Sequence, residues 1–189
     1  IPIPAKGNLA KALRANIPYT LTKAQERCIS EVTEDLQKTK AMNRIVQGDV
    51  GSGKTFVALL SAAEALENGC QVAIMAPTEI LAEQHFQNAW KVFQNTPHTP
   101  VLLTGSKSKK EKEELYQKIK SGEASLVIGT HALIQEAVEW KRLAFVIVDE
   151  QHRFGVRQRT ALKEKAPAGT FPHVLTMTAT PIPRSLALT

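Results

Sequence analysis

Apolar residues recur along this chain with two different periods. Over residues 22–36, Ala24, Cys28, Ile29, Val32 and Leu36 fall on one side of a helical wheel, with Thr22 placed as an N-cap. Residues 55–66 form a second helical run, with Val57, Leu59, Leu60, Ala63 and Leu66 available for packing. A third, 78–93, repeats Ile80, Leu81, His85, Phe86 and Ala89 at helical spacing. The highly charged stretch 107–120 keeps Leu115 and Ile119 as its core contacts, and its basic start, 107–112, reads as a solvated helix face. Between these helices lie short apolar runs of strand length at 45–47, 72–75, 101–103, 126–128, 145–148 and 174–177. Strands alternating with helices predict an α/β fold: a mostly parallel sheet with helices on both faces. Ahead of it, residues 1–18 carry Pro2, Pro4 and Pro18 and read as a linker-like lead-in with a short helix over 9–15, leaving 19–189 as the domain proper.

Composition narrows the class without naming a function. A length of 189 residues suits one domain with a proper core. The net charge of +6 permits nucleic-acid binding without requiring it. No apolar stretch approaches a membrane span and no secretory signal is visible, so no membrane partner is expected. Cys28 and Cys70 lack ligand spacing, which predicts structural thiols, no zinc and a reducing, cytoplasmic compartment. The chain does not begin with Met and ends at Thr189 inside an apolar, helix-like run, so it reads as a piece of a longer protein.

The chemistry concentrates at residues 48–55, Gly48-Asp49-Val50-Gly51-Ser52-Gly53-Lys54-Thr55. This is a complete G-x-x-x-x-G-K-T phosphate-binding loop. Its glycines let the backbone turn tightly and aim N–H groups at phosphate oxygens. Lys54 reaches the β- and γ-phosphates, and the Thr55 hydroxyl is a Mg²⁺ ligand. A strand before the loop and a helix after it supply the context the motif requires, with the helix N-terminus facing the anion. ATP with Mg²⁺ is therefore the expected cofactor.

Phosphoryl transfer also needs an acid for the metal and a group that positions water. The run Phe145-Val146-Ile147-Val148 predicts a buried strand that delivers Asp149 to its carboxyl end, with Glu150 next to polarise a water. A third segment, Thr176-Met177-Thr178-Ala179-Thr180-Pro181, ends a strand in short hydroxyls that either report on the γ-phosphate or cap the next helix.

These motifs form an ordered series. Gln25 lies in Leu21-Thr22-Lys23-Ala24-Gln25. The loop follows, then Ala76-Pro77-Thr78-Glu79-Ile80-Leu81-Ala82-Glu83-Gln84-His85, Thr104-Gly105-Ser106 and Ile128-Gly129-Thr130-His131. The series closes with Asp149-Glu150-Gln151-His152-Arg153-Phe154-Gly155 and Thr178-Ala179-Thr180-Pro181-Ile182-Pro183-Arg184. From about residue 17 onward it resembles the first motor lobe of a superfamily 2 helicase, and the last two segments resemble the RecG family, DNA helicases that remodel branched DNA.

The resemblance implies a RecA-like P-loop NTPase lobe in a monomeric, nucleoid-associated bacterial motor. Gln25 would read the adenine edge, with Tyr19 or Leu21 packing near the base. Lys54, Asp149, Glu150 and His152 would be catalytic, His152 coupling the ATP site to residues 178–180. Pro77, Thr78, Gly105, Thr130 and His131 would lie near DNA, although each also suits a turn or cap. Arg153, Arg157, Arg159 and Arg184 are candidates for phosphate contact or interdomain coupling.

A second RecA-like lobe, carrying an arginine finger, and a wedge domain would complete the motor in cis, with branched DNA as partner. The alternatives are the motor lobe of a transcription-repair coupling factor, whose tetrad is usually DEEH, a P-loop kinase or nucleotide switch, and a nucleotide-binding scaffold that no longer catalyses.

Overall fold

Helices and strands alternate in the computed structural model, which describes residues 1–48, 53–149 and 156–179. In chain order they are α1 (Asn8–Arg14), α2 (Lys23–Leu36), β1 (Asn43–Gln47), α3 (Lys54–Glu67), β2 (Gln71–Met75), α4 (Glu79–Val92), β3 (Val101–Leu103) and α5 (Lys109–Ser121). β4 (Leu126–Gly129), a 3₁₀ turn at His131–Ile134, β5 (Leu143–Asp149), α6 (Val156–Lys163) and β6 (His173–Thr178) complete them. The six strands form one sheet in the order β1-β6-β5-β2-β4-β3, and every pairing is parallel. All strands therefore deliver their carboxyl ends to one edge, where the loops that carry motifs emerge.

Strand alternation divides the core in two. Val72 and Ile74 of β2, with Phe145 and Ile147 of β5, pack beneath α1–α4. Their neighbours Ala73, Met75, Val146 and Val148 pack on the other face with Ile119 of α5, Leu133 of the 3₁₀ turn and Leu162 of α6. The expected two-sided parallel sheet is present. Helix starts follow local chemistry. The Thr22 hydroxyl accepts from Gln25 N–H while Gln25 Oε1 accepts from Thr22 N–H, a complete capping box. Thr78 and Ser108 cap α4 and α5 in the same position.

Two residues expected on inward helix faces point outward. Ala24 is exposed on α2, whose buried face is Ile29, Val32 and Leu36. Ile80 is 71% exposed. The inward stripe of α4 is instead Ala82, His85, Ala89 and Val92, because the helix is rotated to set its small residues against the sheet. The strand expected at 45–47 forms as β1, the edge strand among the described residues, and its Ile45 is 48% exposed.

The lead-in residues are packed. Ile3 and Leu13 are buried and Ile3 N–H donates to Leu36 O. The Glu64 carboxylate on α3 accepts from the Lys6 and Gly7 N–H groups, satisfying backbone at the start of α1. The 3₁₀ turn and α6 were not expected from the periodicity; both are too short to establish one.

Candidate nucleotide-binding site

The strand order makes β1, β6 and β5 adjacent, which brings three separated motifs to one stretch of the sheet edge. Gly48, at the root of the phosphate loop, donates its N–H to Thr178 O at the end of β6 (3.1 Å). Asp149, at the end of β5, pairs in register with Met177. β6 thus lies between the loop and the acid, so the hydroxyl-rich segment is a structural neighbour of both. Alternation along β5 carries Phe145, Ile147 and then Asp149 to the same side of the strand, the side beneath α3 and α4.

The N-cap of α3 is Gly53, in the left-handed region with φ +81°, which has no side chain to cap the helix, so the first N–H groups of α3 are donors of the kind an anion takes. A Cβ at Gly53 would lie 2.5 Å from both Gln25 Nε2 and the Tyr19 hydroxyl. Both residues named for the adenine therefore sit against the end of the phosphate loop. Tyr19 also packs edge-on against Phe56, their ring centroids 5.4 Å apart. Lys54 Nζ donates to Gly48 O (2.7 Å), so the loop's own backbone holds the cation across the loop.

A cleft of about 310 Å³ opens here, lined by Tyr19, Gly53, Lys54, Thr55, His85 and Asp149 among others. His85 joins two of these residues: its Nε2 lies 2.7 Å from Asp149 Oδ2, and its Nδ1 lies 3.4 Å from Thr55 Oγ1. Thr55 and Asp149 offer oxygen donors, the ligand type a hard cation such as Mg²⁺ takes, and a shared imidazole joins them. The donor set fits that ion.

Asp49, Val50, Gly51, Ser52, Glu150, Gln151, His152, Arg153, Thr180, Pro181 and Arg184 lie outside the described residues. Arg157 and Arg159 lie on α6, away from the phosphate loop in sequence and on the helix that follows the acidic tetrad.

Over the other half of the edge, β2, β4 and β3 deliver the remaining motif residues. Thr78 accepts from Leu81 N–H as the cap of α4, and Glu79 on the same turn accepts from Ser106 N–H beside Gly105. Thr130 is buried and follows Gly129, while His131 is exposed. At Gly129 a Cβ would sit 2.2 Å from Leu103 O, so β3 and β4 approach there only because the side chain is missing. A cleft of about 680 Å³ lies along this half and touches Gly105, Lys112, Tyr116 and Gln135. Pro77, Thr78, Gly105, Thr130 and His131 thus share one sheet edge with the nucleotide cleft but fall on its opposite half.

Periodicity placed His85 merely in a helical stripe. Its signal was its own chemistry: an imidazole on an inward face otherwise built of alanine and valine.

The profile of the DEAD/DEAH box helicases matches residues 22–189. The chain belongs to that family. As a member of the DEAD/DEAH box family it is 51% identical over 180 residues to the ATP-dependent DNA helicase RecG of Aquifex aeolicus (strain VF5), covering 95% of this chain and 22% of that protein. Among solved structures, RecG bound to a three-way DNA junction superposes with a TM-score of 0.83 at 44% identity, over 99% of this chain and 25% of that one. The DEAD-box helicase Mss116 bound to ssRNA and UDP-BeF superposes with a TM-score of 0.75 over 98% of this chain and 40% of that one, and at 19% identity this likeness shows the fold alone. The RecA-like helicase lobe is therefore the observed fold. The chain spans about a quarter of the length of the RecG relatives it matches.

Proposed function

We propose that this chain is the ATP-binding first motor lobe of a DNA helicase that translocates on double-stranded DNA and remodels branched DNA, by fork reversal and Holliday junction migration, in recombination and repair. The observation that carries the reading is the convergence of Lys54, Thr55 and Asp149 on one cleft beside Gly53, Gln25 and Tyr19. The identity to RecG proteins supports DNA, and branched DNA in particular, as the partner.

Each residue then has a task. The uncapped start of α3 and the Lys54 ammonium bind and orient the phosphates. Gln25 and Tyr19 close the base end of the cleft. Thr55 and Asp149 hold Mg²⁺, which supplies charge neutralisation on the β- and γ-phosphates. Glu150 orients the attacking water and His152 links the site to residues 178–180. Pro77, Thr78, Gly105, Thr130 and His131 face DNA. The whole protein, a cytoplasmic monomer in this reading, adds in cis a second lobe with its arginine finger and a wedge domain.

An arginine finger is worth roughly a thousandfold or more in related phosphoryl transfers. The isolated chain should therefore bind Mg-nucleotide weakly and turn it over poorly. The test is titration with a fluorescent ATP analogue and Mg²⁺, in parallel with Lys54→Ala, followed by unwinding of a three-way junction by the longer protein. Saturable binding lost in the variant, with junction unwinding by the longer protein, is the expected result. Strong DNA-stimulated turnover by the 189-residue chain alone would overturn the division of labour. Phosphoryl transfer to a small molecule, with no effect of DNA, would favour a kinase.

A further inference from the structure

We infer that His85 is a positioning residue for the metal end of the nucleotide site, an inference that rests on the ATP-site reading above. The inward stripe of α4 is Ala82, His85, Ala89 and Val92. A histidine in such a stripe must find polar partners, because an unpaired buried ring nitrogen is costly. His85 is only 7% exposed, and its two partners come from two other elements: Asp149 from β5 and Thr55 from α3. Three segments far apart in sequence are thereby locked together at one ring.

The lock has a direction. The Asp149 carboxylate accepts, so His85 Nε2 carries the hydrogen, and Asp149 Oδ2 is committed to the ring. On the other side, Nδ1 faces the Thr55 hydroxyl; with the hydrogen on Nε2 it accepts from that hydroxyl, which would leave the Oγ1 lone pairs for a cation. In this inference His85 acts through Asp149 and Thr55. It sets the orientation of two oxygen donors in advance, the role outer-shell partners play around metal sites. α4 also starts at Thr78, so the helix that bears this imidazole is anchored at the opposite half of the sheet edge.

The test uses this chain and a fluorescent ATP analogue, titrated in EDTA and at stepped Mg²⁺. His85→Phe keeps a ring of similar size and removes both hydrogen bonds. His85→Gln retains a donor for Asp149. His85→Phe should raise the Mg²⁺ concentration needed for half-maximal tightening by about tenfold or more, the usual consequence of losing an outer-shell partner. Its affinity in EDTA should change by a smaller factor than its Mg²⁺ midpoint does, and His85→Gln should recover part of the loss. A cooperatively melting His85→Phe with the parent's Mg²⁺ midpoint would overturn the inference. If His85→Phe does not fold, an unchanged midpoint in both His85→Gln and His85→Asn overturns it equally. Parent binding that ignores Mg²⁺ also overturns it. Binding that survives Lys54→Ala unchanged overturns the ATP-site reading itself, and the role of His85 falls with it; loss in Lys54→Ala together with parental behaviour in every His85 variant removes only the latter.

Discussion

Gly53 lies against the side chain of Gln25: a Cβ on the glycine would come within 2.5 Å of Gln25 Nε2. The first residue of the nucleotide-facing helix boundary and the residue named for the adenine are thus in contact across the chain. Gly53 is constrained twice, by this approach and by its φ of +81°. Gly53→Ala places an L-residue in a conformation that costs about 1–2 kcal/mol and forces Gln25 and Tyr19 apart. Nucleotide affinity should fall by at least about tenfold, that strain alone being worth most of such a factor. Fluorescent-nucleotide titration reads the change, and parental affinity in Gly53→Ala would remove the contact from the binding site.

Gln25 has two tasks that substitution separates. Its Oε1 completes the capping box of α2, and its amide nitrogen faces Gly53. Glutamate at the same position still accepts the Thr22 N–H. Gln25→Glu should therefore melt close to the parent while losing preference for ATP over GTP in competition titrations. Gln25→Ala should lose both, with a stability cost of about 1 kcal/mol from the broken cap. A Gln25→Glu variant with intact ATP preference would show that the residue only caps α2.

Glu64 holds the lead-in segment. This carboxylate is 4% exposed and takes N–H groups from Lys6 and Gly7. Glu64→Ala leaves those donors without their partner and opens space on α3, at a cost of about 1–3 kcal/mol. The melting temperature should drop by several degrees, with Glu64→Gln falling in between. Hydrogen exchange should show protection lost first in α1, where the contacts are made.

His173 makes stability depend on pH. Met42 N–H donates to its Nδ1, and its Nε2 donates to Ile1 O. Burial pushes the imidazole below its ordinary value of about 6.5, while the hydrogen bond to Ile1 pulls weakly the other way. Burial lowers His98 in the same sense. The unfolded chain therefore binds more protons than the folded one as pH falls below about 6.5, and stability declines through that window. It should be regained as pH rises toward 7. Urea midpoints at stepped pH check the sign, and His173→Gln should flatten the slope.

Much of this was legible in the sequence because the signals are local. The phosphate loop is contiguous, so residues 48–55 read as a unit without any fold. The capping box at Thr22 and Gln25 spans one helical turn, and the apolar run at 126–128 matched β4 closely because that strand is buried along its whole length. Errors fell where burial depends on a partner. Ile80 and Ala24 are apolar by type but face outward, since the rotation of α4 and α2 about their axes is set by the elements they pack against.

The sequence by itself determined the alternation of strands and helices, the caps, and the choice of Lys54, Thr55 and Asp149 as candidate side chains for the proposed chemistry. Short-range hydrogen bonding, side-chain periodicity and the needs of phosphate binding are written in neighbouring residues. Only the tertiary structure decided the strand order, the insertion of β6 between the loop and Asp149, the seating of residues 1–18 on α3, and the joining of Thr55 to Asp149 through His85. Those contacts link residues 30, 58 and 64 positions apart. No local propensity encodes such a pairing; it follows from which faces of the parallel sheet the helices cover.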